Sequence, residues 1–146
     1  MKQDRLFKGI LAALAFSLLV AALVGCGGGN LTIEQVKLKA PDLGPEWILS
    51  QQIEVSTANA TARSVVPQLY RAGAVRIINQ IFTKGSEKLQ VNLVQMDNSR
   101  NAATAVKLLN SVAGGVNTIA AKQNIAVEIM GSPANRAAAA KALNIQ

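Results

Sequence analysis

The side chains that could carry chemistry in this chain are few and far apart. Its 146 residues include no histidine, which removes imidazole bases, serine–histidine nucleophile pairs and histidine metal sites together. Beyond the N-terminal segment the carboxylates are Glu34, Asp42, Glu46, Glu54, Glu87, Asp97 and Glu128, each alone in sequence. Acid–base hydrolysis needs two carboxyl groups within about 5–10 Å. Glu34 could meet Asp42 or Glu46 only through a loop that the residue pattern does not predict. No G-x-G-x-x-G or phosphate-loop pattern occurs, and Lys84-Gly85-Ser86 lacks the upstream glycine and reads as a turn. One thiol remains, that of Cys26.

Cys26 closes an apolar stretch behind a basic start. Lys2, Arg5 and Lys8 are tempered only by Asp4, and the 17 residues from Gly9 to Gly25 carry no charge. That length suits the core of a secretory signal and is short of the ~20 residues of a spanning helix. A free buried cysteine, an uncleaved membrane helix or an ordinary signal peptide are the competing readings. Leu23-Val24-Gly25-Cys26 resembles the lipobox of bacterial lipoproteins at all four positions. The resemblance implies a signal peptide over 1–25, cleavage between Gly25 and Cys26, a diacylglyceryl group on the Cys26 sulfur and further acylation, as by palmitate, of the new amino terminus. At ~0.8 kcal/mol per buried methylene, one acyl chain anchors marginally and two or three anchor durably. A lipidated Cys26 leaves no thiol for disulfide, metal or nucleophile chemistry.

The segment 26–30, the lipidated cysteine with Gly27-Gly28-Gly29-Asn30, reads as a flexible linker. At ~3.5 Å per residue its four residues after Cys26 reach roughly 14 Å, so the body, 31–146, is expected to sit close to a bilayer on the extracytoplasmic side of the cell envelope. Gly27 is not the Asp that favours inner-membrane retention, and the choice between inner and outer membrane stays open.

Of the formal net charge of +7, the leader accounts for +2 and residues 26–146 keep +5. A body of this size is expected to bury about 65% of its unfolded surface. Its bases are spread from Lys37 to Lys141, so ordinary solubility competes with attraction to anionic headgroups or cell-wall polymers. Nucleic acid is disfavoured, because no basic block exists and the body has only Trp47, Tyr70 and Phe82 for base stacking.

These residues must be positioned by elements that periodicity can locate. Trp47 to Val55 reads as a strand. Ala58 to Ala72 reads as a helix, with Pro67 demanding either a start near Ser64 or a kink. Val75–Thr83 and Lys88–Met96 form a hairpin about Lys84-Gly85-Ser86-Glu87, in which Leu89, Val91 and Leu93 alternate with Lys88, Gln90 and Asn92. Asp97-Asn98-Ser99 offers caps for a helix to Ala113, with Ala102, Ala105, Val106, Leu109 and Val112 on one face. Ile125, Val127 and Ile129 mark a last strand, and Ser132-Pro133 opens a final helix to Leu143. Residues 116–124 fit a helical turn or a strand, and Val36–Leu38 an extra strand. The order predicts an α+β, ferredoxin-like split β-α-β antiparallel sheet, with helices on one face plus a C-terminal helix.

Leu43-Gly44-Pro45-Glu46-Trp47 and Tyr70-Arg71-Ala72-Gly73-Ala74 make the body resemble uncharacterised small bacterial lipoproteins, a likeness that implies no activity and transfers no functional residue. With no catalytic constellation and no cofactor motif, the expectation is a non-catalytic binding or interaction module of the envelope. It would be tethered to the membrane through diacylglyceryl-Cys26 and would use its sheet to bind an envelope protein or an anionic cell-wall or lipid surface, formation of a homodimer included. The alternative is a small-ligand carrier or sensor with a pocket near Trp47 and Tyr70, although a lone Trp after a turn is more often a core plug. Arg71 and Arg76, flanking Gly73, offer an anion site or simply solvated element ends.

Overall fold

A computed structural model describes residues 29–61 and 64–145. The expected leader, the cleavage site and Cys26 lie outside them. The first described elements are two short helical turns, α1 (Ile33–Val36) and α2 (Ala40–Leu43). Each is closed by a side chain taking the free N–H at its start: Gln35 Oε1 accepts from Thr32 N at 2.8 Å, and Asp42 Oδ2 from Lys39 N at 2.9 Å. The extra strand expected at Val36–Leu38 is therefore absent. Ile33 and Val36, spaced to share one face of a turn, are buried instead.

Then follow β1 (Ile48–Glu54), α3 (Val66–Arg71), β2 (Ala74–Lys84), β3 (Glu87–Met96), α4 (Ser99–Ala113), β4 (Thr118–Lys122), β5 (Ile125–Met130) and α5 (Pro133–Ala142). The helix expected over 58–72 is reduced to α3, and Pro67 sits in its first turn, where the missing N–H costs no bond. The hairpin turns on Gly85-Ser86, with Gly85 at φ +56°. Asn98 caps α4, its side chain accepting from Asn101 N at 2.8 Å, and Gly114 ends that helix at φ +62°. The ambiguous stretch 116–124 contains β4, because Ile119 and Ala120 pair with β5 across both faces.

The α+β class, the antiparallel sheet and the C-terminal helix are as expected. Within that class the sheet runs β1-β2-β3-β5-β4, every neighbour antiparallel. The split arrangement holds in the second half only: β3 and β4, joined by α4, are parallel with β5 inserted between them. In the first half, β1 and β2 pair directly although α3 connects them. The connecting helices α3 and α4 share one face, as expected, while α1 and the C-terminal helix α5 pack on the other. Their placement follows from two apolar sets on the strands, each of which has to be buried.

On one face Ile78, Phe82, Leu89, Val91, Leu93, Ile125, Val127 and Ile129 are sealed by α1, Leu38, Trp47 and the α5 end at Leu143 and Ile145. On the other, Ile77, Val94, Met96 and Ala126 meet Val66 and Leu69 of α3 and Ala102, Ala105 and Leu109 of α4. The small alanines let α4 lie close to the strands, while Val112, expected on the same face, is exposed past the sheet.

The seal on the first face depends on side-chain amides. Asn124, 1% exposed, accepts from Leu31 N at 2.7 Å and donates to Leu31 O at 3.0 Å and Met96 O at 3.0 Å. Gln95 Oε1 accepts from Ile33 N at 3.2 Å. Gln80, fully buried, accepts from Leu38 N at 3.2 Å and donates to Leu38 O at 3.1 Å. These amides supply main-chain partners to an N-terminal segment that joins no strand. Asn124→Ala should cost about 2–4 kcal/mol, because the Leu31 N–H and C=O lose buried partners at about 1–3 kcal/mol each. Denaturant unfolding measures this, and a loss below about 1 kcal/mol would remove the clamp from the account.

Candidate functional site

The acids considered for a catalytic pair are engaged by bases or amides, and the two that come together, Glu34 and Glu54, share one arginine. Glu34 pairs with Lys37 at 2.8 Å and Arg76 at 3.0 Å, and Glu54 joins Arg76 from the other side at 3.1 Å. Glu46 pairs with Lys84 at 3.1 Å. Asp42 takes the Lys39 N–H, and Glu87 accepts from Asn135 at 2.8 Å. Asp97 accepts from Asn98 and Asn101 at 2.9 and 2.7 Å. The hydrogen bond from Lys37 and then that from Arg76 hold the Glu34 carboxyl below its ordinary range. Arg76, held further toward its charged form by Glu34 and Glu54, is thus occupied by two carboxylates instead of being open to an anion. Among the described residues no three His, Cys, Asp or Glu side chains gather as a metal site.

Trp47 is buried in the sealed core, as a plug. A concavity lies on the opposite face. α3 packs over β2 and α4 over the β3-β5-β4 end, and between them opens a cavity of about 570 Å³. Its walls are mixed: the apolar part comes from Ile53 and Val55 of β1 and its exit, Val65 and Leu69 around α3 and Leu109 of α4, and Gln51, Asn59, Ser64 and Gln90 add polar groups. From the strands, Ile77, Ile81 and Val94 contribute beside a polar row.

That row follows directly from strand register. Asn79 lies opposite Asn92, and Asn92 opposite Glu128, so their side chains stand in line on one face. Asn79 Nδ2 donates to Asn92 Oδ1 at 2.6 Å, and Asn92 Nδ2 donates to Glu128 Oε2 at 2.8 Å. Asn117, just before β4, donates to Glu128 Oε1 at 2.8 Å. Glu128 is only 6% exposed, and among the described residues no basic side chain lines the cavity. Both its oxygens accept amide N–H groups. Sequence reasoning read Gln90, Asn92 and Glu128 as solvent-side alternation. The overlooked signal was Asn79 within the apolar run of β2.

Tyr70, expected beside Trp47, instead secures the cavity's rim. Its hydroxyl donates to Val55 O at 2.8 Å, tying the exit of β1 to α3. Gly73, at φ +102°, lets the chain pass Asp97 and Asn101, where a Cβ would lie 2.8 Å from Asn101 Nδ2. A smaller cavity of about 230 Å³ between α2 and α5 brings Lys37, Lys39 and Lys122 near Asp42, with Lys122 Nζ donating to Leu143 O at 2.7 Å.

With this geometry in hand, comparison with known proteins adds no relative: no family model matches the chain, and no curated protein or solved structure matches it. Among the described residues no helix is long and apolar enough to cross a membrane.

Burial, and then the nearby Glu54 charge, raise the Tyr70 hydroxyl above its ordinary 10.0. The folded state therefore favours the protonated phenol, a contribution complete below pH 10.0 and lost as pH rises through the folded value. Tyr70→Phe should cost about 1 kcal/mol near neutrality and flatten the alkaline fall in stability. Urea midpoints measured across that range check this, and an unchanged alkaline slope would contradict it.

Proposed function

We propose that this protein is a membrane-tethered lipoprotein of the cell envelope that binds, without catalysis, through the half-covered face of its sheet. The cavity over the Asn79–Asn92–Glu128 row carries this reading. Its volume lies in the range of ligand pockets, about 300–1,000 Å³, and it combines apolar walls with a few convergent polar groups. The ion pairing of the acids supports binding over hydrolysis, since the two carboxylates brought together, Glu34 and Glu54, are bridged by Arg76. A small-ligand carrier or sensor is the second reading, favoured by the same volume, with its pocket assigned to this face rather than to Trp47.

The tether is inferred from the sequence alone, through Leu23-Val24-Gly25-Cys26. The docking of Asn30, whose Nδ2 donates to Asp97 O at 2.8 Å, supports a short linker: only a few residues would separate the acylated Cys26 from the folded surface.

Two measurements test the proposal. Cys26→Ser should abolish incorporation of an alkyne-labelled palmitate in cells; undiminished labelling would sink the anchor. Ile81→Trp should fill the cavity, and any envelope component retained by the wild-type lipidated protein should be lost with it. Mass spectrometry of affinity-captured material reads this out. Identical capture by both proteins would move the binding site elsewhere.

A further inference from the structure

We propose that the cavity selects an organic cation, an ammonium group carried on an apolar tail, and that Glu128 is the residue that recognises it. This rests on the reading of the cavity as a binding site and adds the chemical class of its ligand.

Three observations converge. First, among the described residues Glu128 is the one charged residue lining the cavity, and it is 6% exposed. A carboxylate removed from water is retained only when hydrogen-bonded or paired, and among the described residues none of the salt bridges reaches it. Its stabilisation comes from two neutral amides, those of Asn92 and Asn117 at 2.8 Å each.

Second, those amides leave acceptor capacity. An ionised carboxylate offers about four lone-pair positions, and each Glu128 oxygen receives a single N–H. A primary ammonium has three donors and no acceptor, so it can use the remaining positions without competing for the amide hydrogens. The amides in turn hold the carboxylate in one orientation, because Asn92 is itself fixed by Asn79.

Third, the apolar part of the remaining wall suits a hydrocarbon tail. Val55, Val65, Ile77, Ile81 and Leu109 offer no hydrogen bond from their side chains, and the other polar lining residues, Gln51, Asn59, Ser64 and Gln90, are uncharged. A carboxylate-headed ligand would meet Glu128 as a like charge in a partly dehydrated site. A neutral alcohol would gain the tail contacts but no charge pairing.

The test uses the full chain in phosphatidylcholine nanodiscs, followed by NMR of the Asn79, Asn92 and Asn117 side-chain amides and the Ile81 methyl groups. The probes are hexylammonium, hexan-1-ol and hexanoate, which share a tail and differ in head. Hexylammonium should bind at least about tenfold more tightly than either other probe, a ratio equal to about 1.4 kcal/mol. Glu128→Gln should erase that advantage while leaving the hexan-1-ol shifts in place, with unchanged Val91 and Leu93 signals certifying the fold.

Equal binding of hexan-1-ol and hexylammonium would overturn the cation proposal and leave the cavity as an apolar site. Tighter binding of hexanoate, or an ammonium preference that survives Glu128→Gln, would overturn it too. If none of the probes moves these signals, the cation proposal and the cavity reading fall together. The wild-type series decides the matter even where the variant does not fold.

Discussion

The structure depends on how a non-sheet segment is held against a sheet. Residues 30–43 make no strand pairing, yet they cover one apolar face of β2, β3 and β5. Their main chain would be left without partners under that cover were it not for Gln80 and Gln95 of the strands and Asn124 of the β4–β5 turn, which offer amide groups. Each amide can donate and accept at once, so one side chain substitutes for a rung of a β-ladder. Burying Ile33, Val36 and Leu38 then contributes about 1.5–3 kcal/mol each. With Trp47 and the end of α5, this segment closes that face.

Closing one face frees the other from having to build the whole core. α3 is a helix of only six residues, and α4 presents alanines that settle near β3, β4 and β5. Together they leave the middle of the second face uncovered. The residues there are not apolar throughout: Asn79, Asn92 and Glu128 satisfy one another along the register. A row of this kind keeps the exposed floor from being an adhesive apolar surface while giving it fixed donors and acceptors. The same alternation that buries Leu89, Val91 and Leu93 on one side presents Gln90 and Asn92 on the other. The binding face and the core are thus two consequences of one strand pattern.

Much of this was legible in the sequence where a local rule sufficed. The hairpin follows from two alternating runs around Gly85, and α4 from Asn98 at one end and Gly114 at the other. α5 follows from Ser132-Pro133. Legibility failed where tertiary contacts decided. β4 is a strand because β5 offers it a partner, not because Thr118–Lys122 has a strong period of its own. Residues 58–61 belong to a helical pattern in sequence, yet Asn59 bonds Ser56 N and Glu54 O in a local turn instead. The cavity's row was invisible because Asn79, Asn92 and Glu128 are 13 and 36 residues apart and meet only through the strand order. Cys26 is the reverse case, its expected role resting on local sequence alone: a basic start, an uncharged apolar run and Leu23-Val24-Gly25-Cys26.

The central claim is that one face of the sheet is sealed and the other is open to solutes. Paramagnetic attenuation of NMR signals by a neutral soluble nitroxide tests it residue by residue. The account predicts strong attenuation of the Asn79 side-chain amide and the Ile81 methyls, with Phe82, Val91 and Leu93 on the reverse face spared. Equal protection of Ile81 and Leu93 would mean that both faces are covered, and would contradict the account.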